Sequence, residues 1–194
     1  MADQKISAMP TASALTGTEV IPMVQSGANV KATLSTLRAF GAAYGGFSDA
    51  TDQVGSVSAG TVITFDTIDV ADGVTLVGGS DITVPADGIY SLQFSVQFKN
   101  TSNAQEDGTV WIRINGVDLG NSATQYTVPA RKSASIFGYQ VASLTFLLDL
   151  DANDYVQIVW IPTAASVTIE HLPASVSPAY PAIPSIIASV IQVA

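Results

Sequence analysis

The chain has 194 residues and a formal charge of −9 at pH 7, with 47% hydrophobic but only 12% charged residues. That length buries a sizeable core in one domain, with room for an appendage; the seven scattered Lys and Arg form no basic patch for nucleic acid. Cysteine is absent, which excludes disulfides and thiolate metal sites, and no apolar run reaches the roughly 20 residues that a membrane-spanning helix needs.

The opening stretch, MADQKISAMPTASAL, carries acid and amide groups where a signal peptide has a basic start and an apolar run, so standard secretion is not expected. VIPMVQ (20–25) and NVKAT (29–33) alternate around Ser26-Gly27-Ala28, which predicts a small hairpin. Pro22 makes its first half an edge or irregular strand. Leu34, Leu37 and Phe40 then share one face of a short helix, with Thr33 as N-cap and Gly41 as its stop. A hairpin and two helical turns bury too little to fold alone. Residues 1–47 therefore read as a segment that docks, with Leu15, Pro22, Val24, Leu34, Leu37 and Phe40 as anchor residues. Its own domain, sister subunits and another protein are all open as its partner. The Gly-rich GAAYGGFSDATDQ has no period and predicts a linker, extended over 48–60.

Residues 61–194 read as all-β. The expected strands are 61–70, 81–84, 89–98, 109–119, 143–150, 154–161, 166–170 and 185–193. Gly- and Asn-containing turn signals separate them, with Asn115-Gly116 the best two-residue hairpin signal. Short strands at this spacing predict a β-sandwich such as a jelly roll. In 89–98, Tyr90, Leu92, Phe94, Val96 and Phe98 face one way, while Ser91, Gln93, Ser95 and Gln97 face the other. The first face belongs in a core. The second carries no charge, which is unusual for a face in bulk water, and it is a candidate contact with sister subunits. Small polar groups can pair across a symmetric contact without burying like charges together.

The strand signals resemble the C1q/tumour-necrosis-factor-like jelly roll. VPADGIYSLQFSVQ (84–97) is similar to that family's P-x-x-G-x-Y lead into a long alternating strand. WIRINGVDLGNS (111–122) is similar to its Asn-Gly hairpin, and LTFLLDLDANDYVQIVW (144–160) to its leucine strand, acidic turn and aromatic strand. SIIASVIQVA stands in place of the usual Phe-Ser-Gly-Phe ending. Residues 5–40, with Ile6-Ser7, Pro10, Leu15-Thr16-Gly17, Glu19, Pro22-Met23-Val24-Gln25 and Gly27, resemble an opening segment of tailed-bacteriophage virion structural proteins. Together the resemblances imply a non-enzymatic virion subunit: a homotrimeric fibre or capsid decoration protein, mounted on another virion protein through residues 1–47. The alternative is an adhesion module for a receptor or host-surface glycan at a fibre tip.

The remaining candidates are weaker. Asp149, Asp151, Asn153 and Asp154 have the spacing of a calcium-loop start, but Asp154 and Trp160 stand where that loop needs Gly and Glu. The run reads as a polar turn, and neither metal nor cofactor is expected. His171 is the only histidine and reads as a lone polar residue at a strand end. No G-x-S-x-G, P-loop or G-x-G-x-x-G is present. Trp111 and Arg113 share a strand face, and Tyr180 lies in the four-proline stretch 172–185, which reads as a long, stiff loop ahead of the final strand. These three are the candidate partner or ligand surface. For Trp111 the leading reading is packing, and for the stretch a clamp over a sheet edge.

Overall fold

The structure, a computed structural model, describes residue 16, residues 18–34 and residues 42–194. It divides into two units, Met1–Gly41 and Ala42–Ala194. The boundary lies before Tyr44, earlier than the expected end of the first segment at 47.

In the first unit, β1 (Val20–Gln25) and β2 (Ala28–Thr33) form an antiparallel hairpin. Ser26 and Gly27 make its turn with φ of 51° and 79°, the left-handed pair that matches strand twist. Pro22 faces Lys31, and its missing N–H costs no ladder bond in a two-stranded sheet where every strand is an edge. All of β1 is exposed, Val24 to 67%. The Leu34 N–H donates to the Glu19 carbonyl at 2.9 Å. The rest of the expected helix, and anchor residues Leu15, Leu37 and Phe40, lie outside the described residues.

The second unit is all-β: β3 (Tyr44–Asp49), β4 (Gln53–Val54), β5 (Thr61–Val62), β6 (Thr67–Asp72), β7 (Thr75–Val77), β8 (Asp81–Thr83), β9 (Gly88–Asn100), β10 (Glu106–Ile114), β11 (Val117–Asp118), β12 (Thr124–Val128), β13 (Gly138–Leu150), β14 (Tyr155–Pro162), β15 (Val167–Ile169), β16 (Ser175–Val176), β17 (Ala179–Tyr180) and β18 (Ile186–Gln192). Two seven-stranded antiparallel sheets enclose one core, the arrangement of a β-sandwich. The first sheet runs β4-β15-β9-β18-β3-β6, with β13 along the other edge of β9. The second runs β11-β10-β14-β8-β7, with β12 also on β10 and β5 on β14. Tyr90, Leu92, Phe94, Val96 and Phe98 on β9 are all at most 2% exposed and form the centre of the core with Trp160 and Ile158 of β14. Asn115 and Gly116 turn between β10 and β11 with φ of 51° and 80°, as their identities predict.

Three expectations are corrected. The supposed linker contains β3, which pairs with β18 on one side and β6 on the other. Its glycines are packing residues: a Cβ on Gly45 would lie 2.6 Å from the Phe47 ring. The rest of the expected linker, over 48–60, includes β4, paired with β15. Residues 61–70 are not one strand. β5 pairs with β14 in one sheet and β6 with β3 in the other, and the chain crosses between sheets while burying Ile63 and Phe65. The stretch 172–185 is not a ladder-free loop. Leu172 and Ile183 exchange backbone hydrogen bonds of 2.9 and 2.8 Å, and β16 pairs with β17 beyond them. Pro178 occupies the turn between β16 and β17, where no ladder donor is needed. The tip is solvent-facing, with Val176 95% exposed.

Candidate functional site

The outer face of the first sheet brings the predicted Ser/Gln residues together with neighbours from three other strands. Ladder register sets the rows. Leu147, Ser91, Ile191 and Tyr44 lie side by side across β13, β9, β18 and β3. Thr145, Gln93, Ser189 and Gly46 form the next row, and Ser143, Ser95, Ile187 and Ser48 the one after. Val141 faces Gln97 beyond them. None of these side chains is an Asp, Glu, Lys, Arg or His, although the chain carries −9. Gln93 is exposed, while Ser91, Ser95 and Gln97 are half-buried between their taller neighbours.

The face is apolar as well as uncharged. Leu147 is 71% exposed, and Val141, Ile187 and Ile191 are close to half exposed. A hollow of about 240 Å³ lies among them, lined by Gln93, Ser95, Ser143, Ile187, Ser189 and the backbone side of Phe94. It exists because three serines from three adjacent strands occupy positions where their neighbours are longer.

Charges begin at the margins. Lys99 is ion-paired to Glu170, and its ammonium sits 4.6 Å from the centre of the Phe137 ring. Tyr139 faces Lys99 across the ladder. Burial pushes the Tyr139 phenol above its usual value, and the Glu170 carboxylate adds to the rise. At the β6 margin, Ser48 donates to Asp69 at 3.2 Å.

Trp111 and Arg113 lie on the second sheet and share Asp118. The Trp111 indole N–H donates to Asp118 Oδ1 at 2.8 Å, and Arg113 Nε donates to the same oxygen at 2.9 Å. These bonds, the indole's first, hold the Asp118 carboxyl below its ordinary range. A Cβ on Gly60 would lie 2.6 Å from the Trp111 ring, so Gly60 packs close against that half-buried side chain. Tyr180 is not part of that cluster; it stands on the β16–β17 hairpin, 43% exposed.

The acidic turn is occupied by its own chain. Asn115 Nδ2 donates to Asp154 Oδ1 at 2.6 Å, and the Asp151 N–H donates to Asp154 Oδ2 at 3.0 Å. The His171 backbone N–H donates to Asp52 at 2.8 Å, and Glu170 beside it is buried.

Sequence reading missed Leu147, Ile187, Ile191 and the hollow. One signal was present: Leu147-Leu148 places two apolar residues in succession on a strand, so one must face outward. The hollow depends on which strands are neighbours, and alternation within one strand does not report that. Compared with known proteins, the chain matches no protein-family model and no curated sequence.

Proposed function

We propose that this protein is a non-enzymatic structural subunit that self-associates, and that its place is on a tailed-phage virion as a homotrimeric fibre or capsid decoration protein. The observation that carries the reading is the outer face of the first sheet, whose three central rows carry no charge and are partly apolar. Copies of a chain with a charge of −9 repel one another at most surfaces. They meet at least cost through a face that brings no charge, and contiguous exposed apolar surface marks contact sites.

Two further features support it. The neighbour relations β3-β18-β9-β13 in one sheet and β8-β14-β10-β12 in the other support a jelly roll, for which the C1q/TNF-like type is the proposed model. The β1–β2 hairpin exposes Val20, Ile21, Met23 and Val24 and is too small to be stable alone. That suits a mount on a second virion protein. The work of such a subunit is mechanical. The face of the sandwich locks to its sisters.

The test is the native mass of the full chain by light scattering. Three times 20.0 kDa is expected. Changing Gln93 and Gln97 together to Glu places charges on the proposed contact and lowers that mass towards one chain. A monomer at every concentration overturns the proposal.

A further inference from the structure

We infer that Asn115-Gly116 is a modification site that the fold keeps latent: bonds to Asp154 and Tyr155 hold the Asn115 amide away from the Gly116 nitrogen, and release of that clamp lets Asn115 convert to aspartate or isoaspartate. The inference stands whether or not the chain self-associates.

Asparagine is a labile side chain, and most so before glycine, which has no side chain to shield its backbone nitrogen. The Gly116 nitrogen attacks Asn115 Cγ. A C–N bond forms and closes a succinimide ring, and Nδ2 leaves as ammonia. Water then opens the ring at either carbonyl. One product is aspartate; the other is isoaspartate, with the main chain routed through the former side chain. Asn115-Gly116 is the single Asn-Gly pair in the sequence. Both residues are exposed, at the turn between β10 and β11.

The structure opposes this reaction by engaging both ends of the amide. Asn115 Nδ2 donates to Asp154 Oδ1 at 2.6 Å, and Asn115 Oδ1 accepts the Tyr155 N–H at 3.0 Å. β14 lies on one side of β10 and β11 on the other. These bonds therefore draw the amide towards β14, while Gly116 leads towards β11. The clamp is itself held in place. The Asp154 carbonyl accepts the Val84 N–H at 3.0 Å, its second carboxylate oxygen accepts the Asp151 N–H at 3.0 Å, and the Asn115 N–H donates to the Tyr155 carbonyl at 3.0 Å. Ring closure has to release a charge-assisted bond and a bond to backbone before Cγ can swing.

Conversion also removes the clamp. A carboxylate at 115 faces Asp154 with like charge and no donor, and the extra backbone carbon of isoaspartate spoils a two-residue turn. The β10–β11 hairpin then parts from the acidic turn, and residue 115 keeps a chemical record that this end of the sandwich has opened.

Full-length chains in warm, mildly alkaline buffer test the site, with conversion at each asparagine read by peptide mapping and an isoaspartate assay. The wild type unfolded in urea gives the unprotected rate at 115. The folded wild type is expected to convert there about tenfold or more slowly, the factor that a hydrogen bond to a charged group supplies. Asp154→Ala, folded, is expected to recover most of that difference. Asp154→Asn keeps an oxygen that can accept from the amide and should stay nearer the wild type. Asn121-Ser122, also exposed and left-handed with φ of 63°, lies outside the clamp, and its rate should respond to neither change. Circular dichroism confirms that the variants are folded. The inference is overturned if residue 115 converts as fast in the folded wild type as in urea, if it does not convert even in urea, or if folded Asp154→Ala converts at the wild-type rate.

Discussion

Tyr90 shows how one residue joins the core to its periphery. Its ring is fully buried on β9, and its hydroxyl donates to the Ala86 carbonyl at 2.8 Å, holding the Pro85–Gly88 bend against the strand. Tyr90→Phe removes that bond and leaves the carbonyl without its donor, a loss of about 1 kcal/mol in unfolding free energy by urea denaturation. Burial also raises the Tyr90 phenol above its ordinary value, outweighing the Ala86 bond that lowers it. Below about pH 10 both folded and unfolded states keep the proton and the pH has no leverage. Above it the unfolded chain ionises first, so stability falls as pH rises. The wild-type slope above pH 10 is expected to be steeper than that of Tyr90→Phe. The residues of this core were legible in the sequence, because the alternation from Tyr90 to Phe98 states both the strand and its buried side. The residues of the outer face were legible only in part. Ser91, Gln93, Ser95 and Gln97 stand out by lacking charge, but Ile187 and Ile191 look like any other apolar residues of a final strand.

At the scale of elements, legibility followed apolar alternation and failed where small residues replaced it. The first five residues of β13 bury Gly138 and Ala142, which carry no strand signal, so only 143–150 was expected. β3 was hidden for the same reason. Tyr44-Gly45-Gly46-Phe47 reads as a flexible stretch, yet its glycines admit the Phe47 ring and Val70. The two glycines are not equivalent. Gly45→Ala puts a Cβ 2.6 Å from a fully buried ring and is expected to cost roughly 1–3 kcal/mol, as overpacked cores do. Gly46→Ala meets only Val70 at 3.3 Å, a residue 54% exposed and able to yield, and should cost less. Thermal unfolding of the two variants side by side checks the order.

For the whole molecule, the class was legible and the wiring was not. Period-two patterns and turn signals established an all-β chain, but the placement of β18 between β9 and β3 pairs Ile191 with both Ser91 and Tyr44, far away in the chain, and no local signal encodes it. Net charge acts at this scale. Because the proposed contact has no ions to screen and the remaining surface is acidic, raising the salt concentration should leave association unchanged or strengthen it. Mass measured at low and high salt checks this, and a steep weakening would point to an interface made of ion pairs instead.

The position of β18 has a consequence for synthesis. β9 and β3 both offer it an open edge, and β18 emerges from the ribosome about ninety residues after β9 is complete. At roughly 5–20 residues per second, the first sheet stays unfinished for on the order of 5 to 20 seconds. During that interval neighbouring nascent chains on one message present the same two unfilled edges to each other. Rapid translation of the last segment would shorten the time in which one chain can donate its strand to another.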